Sequence, residues 1–470
     1  VDSRGLKIAG FLALVAGCLA LFYFAHSRPG YFSSATYLGG LIFLQLLFIA
    51  LWNFRQTFFA FLMISFVWAG IDLPWKSAWT AGRWAVLAAG ALVGLAIFLQ
   101  DRRYRFAGFH VVALTCVLVA LFSATVSAAA PVALLKAASL LILFLYAASG
   151  GRLAILGRED KFFRGLLLAC EIIVYLTSFA YIVLGLQTWG NPNSLGLVMG
   201  VVVAPLLLWG LLIAETPSLR LRRTLALSLA VILLVNSLAR ASIVACAASM
   251  ILLGVVLRRY KMLLRGSAAV LGVVALLAIL APAKLQEFAS ESTSTVVYKG
   301  KREAGLMGSR RTPWQKTVSA IGEHPWLGVG FGTVVSGDET QRVARFASTR
   351  NITREHGNSY LAILEWMGLL GVVPFYGLVL ILLSRIVRAA RWIHARGDLY
   401  HPCLPLIMVL LAGLIHATFE DWLFAVGYYM CVFFWTLAFA FIDLVPGRAA
   451  VAVHNPYLWP ASRMNSAAGA

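Results

Sequence analysis

Apolar runs follow one another almost from end to end of the 470-residue chain, broken by short polar connections and one long one. A window reading gives about fourteen runs, at roughly 6 to 25, 35 to 53, 57 to 71, 84 to 100, 106 to 126, 132 to 148, 162 to 186, 194 to 214, 224 to 238, 241 to 257, 266 to 282, 359 to 385, 402 to 419 and 422 to 443. Several fall short of the roughly 20 residues of a perpendicular span, so one pair reads as re-entrant and the count as about twelve to fourteen. The pattern predicts an all-α polytopic membrane protein. It divides into an N-terminal transmembrane bundle over 1–282, a long loop with short helices over 283–358, C-terminal transmembrane helices over 359–446, and a disordered tail over 447–470. Val1 to Lys7 leads into the first run with no small-residue cleavage site, which reads as a membrane helix rather than a signal peptide. No internal repeat is visible, which weakens a transporter built from duplicated halves.

Composition agrees, since a chain that is 61% hydrophobic and 12% charged is not held in solution by water. A net charge of +20 would suggest nucleic acid if it covered one surface. It collects instead in short clusters between apolar runs, as cytoplasmic loops facing anionic lipid require. Membrane lipid is therefore an expected partner and nucleic acid is not. The basic connections are Asp101 to Arg105, Arg152 to Arg164, Arg220 to Arg223, Arg258 to Arg265 and Arg385 to Arg396. Alternating with connections poorer in charge, they put both termini in the cytoplasm. The loop 283–358 then lies on the opposite side, the periplasm of a bacterium. The cysteines at 18, 116, 170, 246, 403 and 431 lie in or beside apolar runs at no metal-ligand spacing and read as small buried apolar residues.

That orientation makes the outward cations conspicuous: Lys76, Arg83, Lys136, Arg240, Arg310, Arg311, Arg342, Arg345, Arg350 and Arg354. Arg240 sits in Asn236-Ser237-Leu238-Ala239-Arg240-Ala241-Ser242, a turn between two apolar runs. It reads either as an arginine snorkelling to headgroups or as a bidentate phosphate clamp. In the loop, Thr312-Pro313-Trp314-Gln315 carries the signals of a helix start, with Thr312 as cap. Trp314, Val318 and Ile321 would share its buried face, and His324-Pro325 would end it. Arg310 and Arg311 precede this start, as a solvated face or as anion ligands. Gly328-Val329-Gly330-Phe331-Gly332 is a weak nucleotide pattern and reads better as backbone turning closely over something.

His356 stands at the loop's end, before an Asn358 cap and an apolar helix. It reads as a polar surface residue or as a base. A helix N-terminus disfavours imidazolium by about 0.3 to 1 kcal/mol, while Glu355 works the other way. His324 and His416 are its rivals, and His416 lies near Glu420 and Asp421. Arg83, Lys136, Asn193, His416, Glu420 and Asp421 are the further polar residues expected to line a cavity on this side.

Asn191-Pro192-Asn193, Leu238-Ala239-Arg240-Ala241, Arg310 four before Trp314, His324-Pro325-Trp326-Leu327-Gly328-Val329-Gly330-Phe331-Gly332, and His356-Gly357-Asn358 with Glu365 and Gly368 occur in this order. Together, over roughly 180 to 380, they resemble the O-antigen ligase and polymerase superfamily, bacterial inner-membrane enzymes that use undecaprenyl-diphosphate-linked glycans. The resemblance implies that Arg240 and Arg310 bind the diphosphate, with Arg311 as the neighbouring alternative, and that His356 is catalytic. The chain has Leu-Ala-Arg where Ser-Arg-Gly is more usual in the family, and Arg311 is additional. The expected reaction moves an O-antigen glycan from undecaprenyl diphosphate to lipid A-core by direct inverting displacement. Arginines stabilise the leaving diphosphate and a histidine takes the acceptor's proton. No Asp-x-Asp cluster or His/carboxylate metal set is visible, so neither metal nor cofactor is expected. Alternative readings are a polymerase whose acceptor is a second lipid-linked glycan, a transferase that glycosylates protein, and a transporter of lipid-linked glycans. A transporter would put charges at mid-bilayer, for which Lys136 and Glu365 are the candidates.

Overall fold

The computed structural model describes residues 3–27, 35–52, 56–71, 74, 76–100, 106–261, 264, 266, 268, 308–333 and 356–446. Among them every regular element is helical. In the first half these are α1 (Ser3–Ser27), α2 (Ala35–Trp52), α3 (Gln56–Gly70), α4 (Lys76–Gln100), α5 (Gly108–Ala124), α6 (Ala130–Tyr146), α7 (Arg152–Ile155) and α8 (Glu159–Ser178). Then come α9 (Pro192–Leu197), α10 (Ala204–Leu212), α11 (Pro217–Asn236), α12 (Arg240–Val256), α13 (Gly308–Glu323), α14 (Ser359–Arg396), α15 (Cys403–His416) and α16 (Tyr429–Leu444). Wider π-helical turns at Ala147–Gly151 and Val198–Val203 join α6 to α7 and α9 to α10, and a third at Phe179–Val183 extends α8.

Among the described residues, five helical runs are long and apolar enough to cross a membrane: Ala78–Leu99, Ala130–Ile155, Glu159–Val183, Pro192–Leu212 and Ser359–Arg396. Shorter apolar helices accompany them. The chain is an all-α polytopic membrane protein, as its apolar pattern predicts. α15 and α16 are apolar nearly all round and buried nearly throughout, so they form the centre of the bundle. α8 and α11 instead show one face outward, with Leu176 and Leu221 exposed.

Helix limits depart from the apolar runs where charge or coil intervenes. α4 begins at Lys76 and α11 at Pro217, each about seven residues before its run, and α14 continues to Arg396. A helix ignores the side-chain charge that ends a hydropathy window. At Thr216 the hydroxyl caps Leu219 N at 3.3 Å with Pro217 at the first position, so the basic Arg220 to Arg223 turn is helical. The reverse error is at 422 to 428, read as the start of the last helix, which is an apolar loop leading to α16. There Trp435 Nε1 donates to Leu423 O at 2.7 Å, so a side chain replaces a helical partner. Most of 266–282, most of the loop 283–358 (with Arg342, Arg345, Arg350 and Arg354) and the tail 447–470 lie outside the described residues.

One end of the bundle is tied by ion pairs between helices. Arg152, only 1% exposed, places Nε 2.6 Å from Asp443 Oδ2 and its guanidinium 4.8 Å over Phe98. Arg222 and Arg223 share Glu171 at 2.7 and 3.5 Å, and Arg223 also donates to Gly210 O. The other end carries the polar groups of interest.

Candidate active site

The site starts from a break in α14. Gly368, at φ 56° and ψ −154°, interrupts the helix two turns after its start. The segment 325–330 supplies the lost partners. Val329 N donates to Glu365 O at 2.9 Å and Gly330 N to Trp366 O at 3.0 Å, while Leu369 N and Leu370 N donate to Pro325 O and Trp326 O at 2.8 and 3.1 Å. Ser123 Oγ on α5 lies 3.0 Å from Leu327 O and 2.7 Å from Trp366 O, closing the junction. Gly328 and Gly368 both have positive φ, and a Cβ at either would meet the other segment's backbone at 2.4 to 2.5 Å. The glycine-rich run therefore turns closely over a broken helix.

This junction fixes the helix start that presents His356. Asn358 caps α14, accepting from Tyr360 N and Leu361 N at 2.8 and 3.1 Å. Ser359 fastens that start to the 417–428 loop. Its N–H donates to Ala417 O at 2.9 Å, and its hydroxyl donates to Glu420 O at 2.7 Å and accepts from Leu423 N at 3.2 Å. His356 N–H donates to Asp421 Oδ2 at 2.8 Å, and its Nδ1 lies 3.1 Å from the same oxygen. On the other side of the ring, Nε2 is 3.3 Å from Glu365 Oε2, an ion-pair distance without hydrogen-bond alignment. Trp366 packs edge-on at 5.3 Å, and His356 is 2% exposed.

Asp421 accepts, so Nδ1 carries a proton, and a neutral ring would turn the Nε2 lone pair toward a carboxylate. That contact is favourable when the ring carries a proton on both nitrogens. Burial works against the charged ring, but the carboxylates of Asp421 and Glu365 outweigh it and raise the pKa above histidine's usual value. Asp421 is half-buried; burial pushes its carboxyl up, but its bonds to His356 outweigh that and hold it below the ordinary carboxylate range. The helix N-terminus, expected to favour a neutral ring, is overridden by two carboxylates.

α13 brings the first arginine. It begins at Gly308, before the expected Thr312 cap, so Pro313 lies inside it and costs one early hydrogen bond. Arg310 and Trp314 are then one turn apart on the same face. Trp314 Nε1 donates to Gly357 O at 3.2 Å, and Arg310 lies against Gly357, where a Cβ would meet Nη1 at 2.6 Å. Arg310 Nη2 donates to Glu420 Oε1 at 2.5 Å. Arg311 is exposed. The inward face carries Trp314 and Thr317, whereas Val318, expected there, is 59% exposed.

Arg240 arrives from the turn between α11 and α12. Leu238 at φ 52° makes the turn tight, with Ala239 N donating to Ser237 Oγ at 3.3 Å. Arg240 and Arg310 come near enough to feel each other's charge. His416 stands behind them, bonded on both sides. Trp422 Nε1 can only donate, so His416 Nδ1 accepts at 3.0 Å, and Nε2–H donates to Ser242 Oγ at 3.0 Å. A ring used in this way is a strut.

The remaining expected residues serve the frame. Arg83 donates to Gly427 O at 2.6 Å beneath the 417–428 loop and stacks on Phe66 and Trp84. Lys136 donates to Gly332 O, pinning the glycine-rich segment. Asn193 N–H is capped by Asn191 Oδ1 at 2.8 Å. The partner that sequence reasoning left out of the site is Glu365. A buried carboxylate in an apolar helix was the signal available, since such a charge needs a partner. Among the described residues no group of three or more His, Cys, Asp or Glu side chains could hold a metal ion.

Residues 225–376 match the family model described as O-antigen ligase. The family indicates ligase- or polymerase-type activity and lipid-linked glycan substrates. No curated protein matches the sequence. The matched stretch holds Arg240, Arg310, His356 and Glu365 and stops before Glu420 and Asp421.

Proposed function

We propose that this protein works as an enzyme of the O-antigen ligase superfamily, moving an O-antigen glycan from undecaprenyl diphosphate to lipid A-core. The site would face the periplasm from the inner membrane, with the basic turns and both chain ends in the cytoplasm. One observation carries the reading: two arginines from separate segments converge beside a histidine held between two carboxylates. Arg240 and Arg310 take the diphosphate, Glu420 giving up its hold on Arg310 as the phosphate arrives. The acceptor hydroxyl, reaching Nε2 once the side chains covering the ring move, loses its proton to His356. Its oxygen forms the new bond to the anomeric carbon as the bond to the diphosphate breaks, and the configuration inverts. Asp421 keeps the proton on Nδ1 and steadies the imidazolium that forms, the orienting role of a carboxylate beside a catalytic histidine. The negative charge gathering on the diphosphate stays on the arginines.

The test is purified protein with lipid-linked glycan and lipid A-core, scored for ligated product without added metal. Product from the native chain and none from Arg240→Ala or His356→Ala supports the reading. Lengthened lipid-linked glycan with no ligation would mark a polymerase using the same site, and unchanged substrates would refute both. Orientation is tested by thiol labelling in a Cys18→Ala background. An impermeant reagent should reach a cysteine replacing Ser319 in spheroplasts and miss one replacing Ser218; the reverse pattern overturns the topology.

A further inference from the structure

Beside the arginine-bearing turn lies a shallow open groove that the proposed chemistry does not use. It sits between the connection from α8 to α9 and the end of α11, lined among others by Gln187, Thr188, Trp189, Asn191, Asn236 and Ser237. The lining includes no charged side chain, so the groove is not built for phosphate. Carboxamides and hydroxyls line it beside apolar carbon from Leu186, Pro192 and Leu195, so it is not built for a lipid chain either. A carboxamide both donates and accepts, as a sugar hydroxyl does. Apolar walls with a few placed polar groups suit the two-sided surface of a pyranose ring.

The groove is firmly walled and joined to the site. Trp189 is 8% exposed, and its Nε1 donates to Thr177 Oγ1 at 3.1 Å. The indole meets Tyr429 at 6.1 Å, whose hydroxyl lies 3.1 Å from that of Tyr428, on the loop that carries Glu420 and Asp421. The Gln187 and Asn236 side chains make no hydrogen bond among the described residues, and both are exposed. Asn236 and Arg240 belong to one tight turn, so four residues, at most about 14 Å of chain, separate groove and arginine. α9 packs onto that turn, where a Cβ at Gly196 would meet Ala239 Cβ at 2.4 Å.

We infer that this groove is a carbohydrate subsite holding a sugar of the donor glycan. The inference rests on the donor reading above. It gives the enzyme a means of telling a loaded carrier from spent undecaprenyl diphosphate, since both present the same diphosphate to the arginines.

The experiment uses full-length protein in nanodiscs, with Cys18→Ala and His356→Ala to remove background labelling and turnover. Gln187→Cys and Asn236→Cys are labelled with a polar maleimide. The additions are undecaprenyl diphosphate alone or undecaprenyl-diphosphate-linked O-antigen unit, with binding of each lipid measured in parallel. The glycan-bearing lipid at ten times its Kd should slow labelling about tenfold, and the bare lipid should leave it unchanged. Gln187→Ala and Asn236→Ala should each weaken binding of the glycan-bearing lipid about two- to tenfold without changing that of the bare lipid. Equal protection by both lipids would mean that the groove holds carrier, and the proposal fails. Binding of the glycan-bearing lipid with no protection also refutes it, while leaving the arginine site standing. If neither lipid binds, the donor reading falls first and the subsite falls with it.

Discussion

The two ends of the bundle both pair arginines with carboxylates, and they do so for different ends. At one, Arg152 meets Asp443, and Arg222 and Arg223 meet Glu171, each partner standing on a helix that the contact ties to another. Arg152 is almost wholly covered and stacked on Phe98, so no ligand can compete for it. At the other, Arg310 and Glu420 keep 16% and 21% of their side chains exposed, and their partners stand on a helix start and a loop. A closed pair is a rivet. A half-open pair beside a second arginine suits the proposed diphosphate site, with Glu420 holding the place of the ligand.

The sharpest way to break this comparison is at His356. Its replacement by alanine should cost about two to four orders of magnitude in transfer rate with donor binding kept, the range of a positioned acid or base. His356→Gln keeps a hydrogen bond but takes no proton, so near-normal product from it would remove the base role. At the rivet the outcome should be the opposite. Arg152→Met strands Asp443 and should lower stability by about 3 kcal/mol, read by thermal unfolding in detergent, with product per folded molecule unchanged. Arg240→Ala and Arg310→Ala should weaken donor binding about ten- to a hundredfold, and lysine should restore only part, lacking the planar fork. Glu420→Gln should be the mildest, tightening donor binding about two- to fivefold as a competing charge is removed.

Acidity sharpens the same contrast. His356 has a raised pKa in the fold, so its ionic contribution is complete below the ordinary 6.5 and fades as pH rises through the raised value. Asp421 is depressed, so its contribution is complete above the ordinary 3.8 and fades as pH falls through the lowered value. The pair therefore stabilises the loop most between about 3.8 and 6.5. Activity needs the ring's Nε2 free, so its acid limb should lie above that of an ordinary histidine. Asp421→Asn should move that limb to lower pH in a rate profile, which a merely structural aspartate would not do.

The fold class and most of the helices were legible because hydropathy reports what lipid demands of a span. The limits were not, because Lys76 or Arg220 ends a hydropathy window without ending a helix. Asn358 could be read as a cap from its neighbours alone, whereas Thr312 carried the same signals and is mid-helix. Capping grammar is local, and α13 starts where upstream residues and the contacts of Trp314 allow. Arg240, Arg310 and His356 could be named from their order in the chain, but their distances could not. That Arg310 turns inward and Arg311 outward depends on where a helix begins. That Glu365 faces His356 depends on how α14 is packed against its neighbours.

The break at Gly368 has a consequence for engineering. Segment 325–330 and the start of α14 share backbone hydrogen bonds in a region that offers few other partners, and two glycines leave no room for a side chain between them. Neither half can be moved alone. A designer carrying this chemistry to another bundle would have to transplant 324–333 and 356–371 as one cassette, with a hydroxyl placed like that of Ser123 to seal the joint.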